Sequence, residues 1–310
     1  MQILSNLKKI CYNRSETLNE AVSFDYENLD IERPFDFTSH TSIGCGGLAK
    51  LAIYPRKEGE MVDVIRRLTS QKTPWVVVGN LTNTLPSDLG TDKVVICTKK
   101  MTELRIEDAY VYAAAGVQSG KLLKSVKENS LSGLEFLTGI PCTIGGALYM
   151  NAGAGGIYLS ERVQSVRVLR EGKVKILSKE ECDYRYKHSL FMDNQDVILG
   201  GTFALKKSTY ADVLEVERFY RASRAHLPKG KSMGCIFKNP AGQSAGELIE
   251  KTGLKNLRVG GAIVSPDHAN FIINDGNATA REVRALIKLI QNAVFAYCGV
   301  ALEEEIQYLD

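Results

Sequence analysis

Apolar residues recur at helical spacing in some stretches of the chain and cluster in short β-branched runs in others. A helix over residues 58–71 is predicted by four apolar residues spaced three or four positions apart, Met61, Val64, Ile65 and Leu68. A second amphipathic helix begins behind a Thr279-x-x-Glu282 capping box and continues to Val294. The two periodicities alternate along the chain, so the pattern predicts a mixed α and β protein.

The remaining elements follow from the same patterns. A peripheral helix and an extended lead-in are predicted over residues 1–35. Further helices are predicted over 119–128, over 212–225, and from a capping box at Ser244 to a C-cap at Gly253. Strands are predicted over 48–54, 75–79, 94–97, 110–115, 163–169, 173–177, 197–205, 269–273 and 304–309.

These elements divide into three regions. Residues 1–100 contain an N-terminal segment and a small α/β unit, residues 101–206 contain mostly strands, and residues 207–310 return to helices with short strands. A chain of 310 residues is long enough for two or three hydrophobic cores. We therefore predict an α+β fold with two N-terminal subdomains and a C-terminal domain.

Composition narrows the possible partners. The formal net charge is +3, which favours neither nucleic acid nor an anionic membrane as a partner. No stretch approaches the ~18 apolar residues of a membrane span. The seven cysteines are widely spaced without a C-x-x-C pair, so no metal site is predicted. Free cysteines indicate a reducing compartment, and we predict a cytoplasmic protein that is a monomer or weak oligomer.

Glycines concentrate in three places, Gly44–Gly47, Gly79–Asn83 and Gly139–Gly156. Glycine permits positive φ and lets backbone N–H groups approach an anion closely. None of the three has the spacing of a Walker or Rossmann loop, and each alone is most simply a tight turn. The density of glycines in the third place favours a large flat ligand lying against the backbone.

Several motifs then resemble one family in its own order. The segment Gly139-Ile-Pro-x-Thr-Ile-Gly-Gly-Ala-x-Tyr-Met-Asn-Ala-Gly-Ala is similar to the flavin-contacting segment of UDP-N-acetylenolpyruvoylglucosamine reductases. Their substrate-domain motifs resemble Gly234-Cys-Ile-Phe-Lys-Asn-Pro, Ser244-Ala-Gly-x-Leu-Ile-Glu, Ser265-x-x-His-Ala-Asn-Phe-Ile-Ile-Asn and Leu302-Glu-x-Glu-Ile. The resemblance extends from Thr41 to the C-terminus, and the short run from Pro240 to Ser244 matches the shorter family branch.

The resemblance implies a fold and a reaction. The fold is a pair of FAD-binding subdomains of the vanillyl-alcohol oxidase type followed by a substrate-binding domain. The reaction is the NADPH- and FAD-dependent reduction of UDP-N-acetylglucosamine enolpyruvate to UDP-N-acetylmuramate for peptidoglycan. The residues that it implies for FAD binding are Gly79, Asn80, Leu81, Thr82, Asn83, Ala115, Gly116, Gly139, Ile140, Pro141, Thr143, Gly145, Gly146, Asn151, Ala152 and Gly153.

Three catalytic residues are implied by position. Lys187 stands where the family has an arginine that polarises the enolpyruvyl carboxylate, and Arg185 would share its face if the segment is extended. Cys235 stands at the serine that donates the proton; a lone cysteine is otherwise a small buried hydrophobe. Glu305 matches the glutamate of the C-terminal motif, which is followed here by Gln307 where the family often has arginine.

The same motifs imply substrate contacts. Lys238, Asn239 and Tyr186 would contact the sugar nucleotide, and Arg221, Arg224 and Lys231 could meet its diphosphate. Leu81 occupies a position where the family has a glycine, and a positive φ there would be costly for leucine.

Three functions remain open from the sequence. A working reductase is favoured by the retention of Lys238, Asn239, Cys235 and Glu305 together. A non-catalytic relative kept as a UDP-sugar-binding or regulatory module would stay colourless. A flavoenzyme with another substrate would bind flavin without the expected turnover.

Overall fold

The computed structural model describes residues 29–310, which include three sheets of four or five strands with helices packed against them. The first 28 residues, which contain most of the predicted lead-in, lie outside the described residues. Within the described chain, no helix is long and apolar enough to cross a bilayer.

The N-terminal sheet is a four-stranded βαβ unit. Its strands, in spatial order, are Asp30–Glu32, Ala52–Tyr54, Val94–Cys97 and Trp75–Val78. The last three are parallel, and the helix Glu58–Ser70 connects two of them. The predicted apolar stripe of this helix is buried against the sheet, which explains why residues 58–71 form a helix.

The central sheet is antiparallel and five-stranded. In spatial order its strands are Lys173–Ser178, Val163–Arg170, Val197–Ala204, Tyr110–Ala114 and Leu104–Glu107. A tight turn with Glu171 and Gly172 at positive φ joins the first two strands, as a two-residue hairpin loop requires. The helix Ser119–Glu128 buries Leu122, Leu123 and Val126 in the same hydrophobic core as this sheet.

The C-terminal sheet contains the strands Lys231–Cys235, Phe271–Asn274, Ala262–Val264 and Arg258–Val259 in spatial order. The helix Ala280–Cys298 covers it and buries Val283, Leu286, Ile287, Ile290 and Val294. Its N-terminus has the predicted capping box between Thr279 and Glu282, and Gly299 ends it at φ +69°.

Shorter elements connect these layers. The other helices are Phe37–His40, Ile144–Tyr149, Tyr210–Ser223 and Ala245–Lys251, with single 3₁₀ turns at Thr98–Lys100, Glu135–Leu137, Leu159–Glu161, Glu180–Cys182 and Leu190–Met192. Two-stranded pairs are formed by Phe35–Asp36 with Leu48–Ala49, Leu131–Ser132 with Lys206–Lys207, and Gly153–Ala154 with Ile157–Tyr158. A parallel pair, here called the terminal ladder, joins Thr84–Pro86 to Gln307–Leu309.

The hydrophobic cores do not follow the chain order. The N-terminal and central sheets share one continuous core, which includes Ile53, Met61, Val166 and Phe203. The C-terminal core takes in Ile43, Cys45 and Leu85 from the beginning of the chain. Each hydrophobic core thus contains residues from more than one of the three predicted regions. The domain boundaries after residues 100 and 206 stay predictions.

The turn Gly44–Gly47 serves this packing. A Cβ on Gly47 would lie 2.4 Å from the Asp88 carbonyl oxygen, and the Cys45 thiol donates to the Ala278 carbonyl at 3.0 Å. This turn therefore lets two backbones approach, as the simpler interpretation of its glycines expects.

Most predicted elements form within one or two residues of their expected bounds; the helix predicted to Val294 continues to Cys298, and two predicted strands are only partly formed. The strand predicted over 48–54 is interrupted at Lys50 and Leu51, and only Gln307–Leu309 of the stretch 304–309 is a strand. In the latter, Glu303–Glu305 instead make hydrogen bonds to the chain that follows Cys235.

Gly116 provides a test of close backbone packing. A Cβ there would lie 1.8 Å from the Thr98 carbonyl oxygen, whereas a Cβ on Gly120, in a nearby helix, meets nothing within 4 Å. We expect Gly116→Ala to lower the free energy of unfolding by about 2 kcal/mol or more. Gly120→Ala, the matched control, should raise it by about 0.5–1 kcal/mol. Urea unfolding followed by fluorescence measures both; equal stability of the two variants would contradict this packing.

Candidate functional site

A large cleft separates the two N-terminal sheets from the C-terminal domain. Its volume is about 1,690 Å³, well above the ~300–1,000 Å³ of ordinary small-ligand pockets. Its wall is formed by the loop 79–83, the segment 138–158, the pair Tyr186 and Lys187, the end of the helix Tyr210–Ser223, and Cys235 and Glu305. A cleft of this size has room for two elongated ligands.

The loop 79–83 leaves the strand Trp75–Val78 and lies against the glycine-rich segment. A Cβ on Gly79 would be 2.3 Å from the Thr143 hydroxyl oxygen, so only glycine fits there. The side chains of Asn80 and Thr82 both donate to the Pro141 carbonyl at 2.9 Å. These two side chains hold the cleft walls together.

Leu81 has the strained backbone that the sequence predicted, with φ +54°. Its side chain is only 4% exposed and packs in a small core that contains Phe35, Phe37 and Leu309. Left-handed backbone costs a non-glycine residue about 1–2 kcal/mol. Burying a leucine side chain contributes about 1.5–3 kcal/mol, which offsets that cost. The leucine thus lines the cleft without its side chain filling it.

The glycine-rich segment forms the opposite wall. Thr143 caps the short helix Ile144–Tyr149 by accepting from the Gly146 N–H, and a Cβ on Gly145 would lie 3.0 Å from that of Ala115. The hydroxyl of Thr138, in the same wall, is buried without a partner. Buried polar groups in native proteins are normally satisfied, so this hydroxyl is a natural contact for a bound ligand.

Most of the predicted FAD-binding residues line this cleft. Two do not. Gly116 is packed between the backbones of Thr98 and Met101. Asn151 is buried at φ +44°, where its amide donates to the Arg185 carbonyl at 2.8 Å and its oxygen accepts from the Ser160 N–H. Asn151 thereby anchors the segment that carries Tyr186 and Lys187.

That segment is a tight turn. The N–H of Arg185 donates to the His188 carbonyl at 3.1 Å, the reverse bond is 3.2 Å long, and Lys187 has φ +52°. The hypothesis that Arg185 and Lys187 share a face of an extended segment is therefore wrong. Arg185 is exposed and pairs with Asp183, and it does not line the cleft.

The three predicted catalytic residues meet in the cleft. The Lys187 ammonium lies 2.7 Å from a Glu305 carboxylate oxygen, and the two side chains are only 17% and 14% exposed. Burial and the nearby Glu305 charge raise the pKa of the Cys235 thiol to about 11, and Lys187 opposes them. The thiol is therefore protonated at neutral pH and can donate a proton.

The predicted substrate contacts separate into two groups. Tyr186, Asn239 and Arg221 line the cleft, and the Tyr186 hydroxyl oxygen accepts from the Asn239 N–H at 3.1 Å. Lys238 lies outside the cleft wall and its ammonium is 2.5 Å from Glu303.

The two other basic side chains predicted near the diphosphate contact other parts of the protein. Arg224 lines the cleft, but its guanidinium donates to the carbonyls of Phe136 and Thr138 and thus supports the wall. Lys231 packs against Gly44, away from the cleft.

Some residues of the cleft wall were not predicted from the sequence. Tyr158 packs edge-on against Tyr186, with ring centroids 5.9 Å apart. Asn270 is buried and makes hydrogen bonds to both the N–H and the carbonyl of Phe237. Asn270 lies inside the motif that begins at Ser265, so the resemblance could have identified it. Thr138 and Tyr158 lie outside every motif and gave no such signal.

Comparisons with known proteins lead to one family. Residues 49–178 match the FAD binding domain family, and residues 226–309 match the C-terminal domain of UDP-N-acetylenolpyruvoylglucosamine reductase. A reductase of that name from Caldicellulosiruptor saccharolyticus is 35% identical over 91% of this chain and 93% of its own. The one from Geobacter sulfurreducens is 38% identical over 90% and 93%.

A solved structure gives the same answer. The crystal structure of UDP-N-acetylenolpyruvylglucosamine reductase from Thermus caldophilus superposes with a TM-score of 0.80 at 32% identity, over 91% of this chain and 100% of that one. The expected α+β fold, an FAD-binding region followed by a C-terminal domain of this reductase family, is confirmed.

Fold and cleft together define an FAD-dependent oxidoreductase. The two relatives named above, each more than 30% identical over at least nine-tenths of the chain, carry the same name. The chain belongs to the UDP-N-acetylenolpyruvoylglucosamine reductase family.

The protonation of Cys235 can be measured without substrate. Mass spectrometry of the Cys235 peptide measures the rate at which iodoacetamide alkylates the thiol. Because only the thiolate reacts, we expect this rate still to rise about tenfold per pH unit at pH 10. Glu305→Gln removes a charge that raises this pKa, so alkylation at pH 9 should be faster. A plateau of the wild-type rate below pH 9 would contradict the assignment.

Proposed function

We propose that this protein reduces UDP-N-acetylglucosamine enolpyruvate to UDP-N-acetylmuramate, a peptidoglycan precursor, with FAD in the cleft and NADPH as the reductant. The observation that carries the proposal is the meeting of Lys187, Glu305 and Cys235 in a cleft whose walls are the FAD-type segments. The names of the relatives support the same substrate.

The residues of the two backbone walls fit FAD. Glycine at Gly79 and Gly145 brings the walls into contact, and the unpartnered Thr138 hydroxyl offers a hydrogen bond. Bound FAD would supply the hydride chemistry, accepting a hydride from the nicotinamide and passing one to the enolpyruvyl methylene carbon. The family-derived FAD contacts that line the cleft, from Gly79 to Gly153, remain our proposal for its binding residues, apart from Asn83, whose side-chain amide donates to the Glu305 carbonyl.

Lys187 would bind the enolpyruvyl carboxylate. Hydride addition to the methylene carbon leaves carbanion character beside that carboxylate, and a fixed positive charge stabilises it. Glu305 holds the ammonium at 2.7 Å and so limits the rotamers of a flexible side chain. A lysine presents a single point charge where an arginine would present a planar fork, so the surrounding geometry has to orient the carboxylate.

Cys235 would supply the proton to the carbon next to the carboxylate. Its thiol is protonated at neutral pH, and burial and Glu305, which raise its pKa to about 11, extend that protonation well above neutral pH. The thiol is thus neutral until the electron density develops, and then transfers its proton as a general acid.

Tyr186, Asn239 and Arg221 would bind the sugar nucleotide, since they line the same cleft. We give Lys238 and Arg224 supporting roles, because their charged groups already contact Glu303 and backbone carbonyls. A cytoplasmic location and a monomeric or weakly associated state are part of this proposal.

The visible spectrum of the purified protein, recorded with added FAD and after desalting, tests the function. We expect an oxidised-flavin spectrum that bleaches anaerobically with NADPH and returns when the enolpyruvyl substrate is added. A colourless protein that still binds UDP-sugars would replace this proposal with the binding module. A spectrum that bleaches but does not return would indicate a flavoenzyme with another substrate.

Cys235→Ala tests the proton donor. We expect this variant to lose reduction of the substrate by about 10²-fold or more while flavin still accepts electrons from NADPH, because general-acid catalysis contributes ~10²–10⁴-fold. Cys235→Ser, which keeps a hydroxyl at the same place, is the matched control and should retain much more activity. Normal turnover by Cys235→Ala in stopped-flow measurements would show that the acid lies elsewhere.

A further inference from the structure

The loop 79–83 is linked to the C-terminal strand through the terminal ladder. It runs directly into Thr84–Pro86, which pairs in parallel with Gln307–Leu309 in the terminal ladder. Asn83 is the last residue before this ladder, and Glu305 lies two residues before its other strand. The cofactor-type loop and the Glu305 segment are therefore held in register.

Asn83 contacts Glu305 and the residue two positions after it. Its side-chain amide donates to the Glu305 carbonyl at 3.0 Å, and its own backbone carbonyl accepts from the Gln307 N–H at 2.9 Å. The same amide is 3.5 Å from the Met150 sulfur. The amide of Asn83 is thus directed at the peptide of Glu305.

The backbone N–H of Glu305 is held by a hydrogen bond as well. The Glu305 N–H donates to the carbonyl of Ile236 at 2.7 Å, and Ile236 is the residue after Cys235. Both backbone polar groups of Glu305 are therefore hydrogen-bonded. Its carbonyl is bonded to the loop 79–83, and its N–H is bonded to the segment that carries the Cys235 thiol. From this fixed backbone the carboxylate reaches Lys187 at 2.7 Å.

We propose that Asn83 is a positioning residue for the Lys187–Glu305 pair, acting through the Glu305 carbonyl. This differs from the cofactor contact that the family resemblance implies, and its catalytic consequence rests on the proposed function. The Gln307 side-chain amide also donates to the Glu305 carbonyl, at 3.4 Å, so Asn83 supplies the shorter of two side-chain hydrogen bonds to it and the one that comes from outside the C-terminal segment. Small displacements of catalytic groups reduce rates by up to ~10²-fold.

Asn83→Asp is the sharpest test, because it keeps the size of the side chain and replaces the donor by an acceptor facing the Glu305 carbonyl. We expect kcat at saturating FAD to fall about 10- to 100-fold with a smaller change in KM, and the FAD dissociation constant to change less than about threefold. We also expect faster alkylation of Cys235 at pH 9, since a displaced Glu305 no longer raises the thiol pKa.

Asn80→Asp is the matched comparison in the same loop. Its amide donates to Pro141 and not to Glu305, so this variant should leave the alkylation rate of Cys235 unchanged. Asn83→Ala, which adds no charge, should reproduce the direction of the Asn83→Asp effects, and serves if the aspartate variant does not fold by circular dichroism.

The outcomes separate the two proposals. A variant at Asn83 that weakens FAD binding more than tenfold but has wild-type kcat and wild-type Cys235 alkylation would overturn the positioning role. Alkylation and FAD titration need no substrate. A wild-type protein that fails to reduce the enolpyruvyl substrate would thus defeat the proposed function, while the alkylation comparison still decides the role of Asn83.

Discussion

The ion pair between Lys187 and Glu305 is the constraint on which the site depends. Both charges are largely removed from water, and a charge left unpaired in such a place costs several kcal/mol, so the two residues must arrive together. One comes from a tight turn in the central part of the chain, the other from its last few residues. Asn151 holds the turn through the Arg185 carbonyl, and the contacts of Asn83 and Ile236 hold the Glu305 peptide. The electrostatic environment of Cys235 follows from that placement.

Local backbone strain is part of the same arrangement. Leu81 and Lys187 both have positive φ, in a region that disfavours residues with a Cβ. The side chain of Leu81 is buried in the small core, which offsets the cost, and Lys187 lies in a turn that is closed by two backbone hydrogen bonds between Arg185 and His188. The leucine that looked like an obstacle to a cofactor is thus accommodated by pointing its side chain away from the cleft.

The sequence predicted the periodic elements well, because helices such as Ala280–Cys298 are determined by local spacing and caps. Motif resemblance located Lys187, Cys235 and Glu305, although charges and spacing alone would have left Glu303–Glu305 as a solvated acidic turn. The resemblance could not show that Arg185 lies outside the cleft, because the turn at residues 185–188 depends on a hydrogen bond from Asn151, which is distant in the sequence. Nor could it separate Gly116, which serves packing, from the glycines that line the cleft, since the difference lies in what each missing Cβ would meet.

The exchange of residues between cores has a consequence for how this chain can be divided. Ile43, Cys45 and Leu85 complete the C-terminal core, and the strand Gln307–Leu309 pairs with residues from the beginning of the chain. The C-terminal region is therefore not an interchangeable module. A chimera that grafts it onto another flavoprotein has to carry residues 41–47 and 84–86 with it, so recombination within such a gene preserves the fold only when both ends of the chain are inherited together.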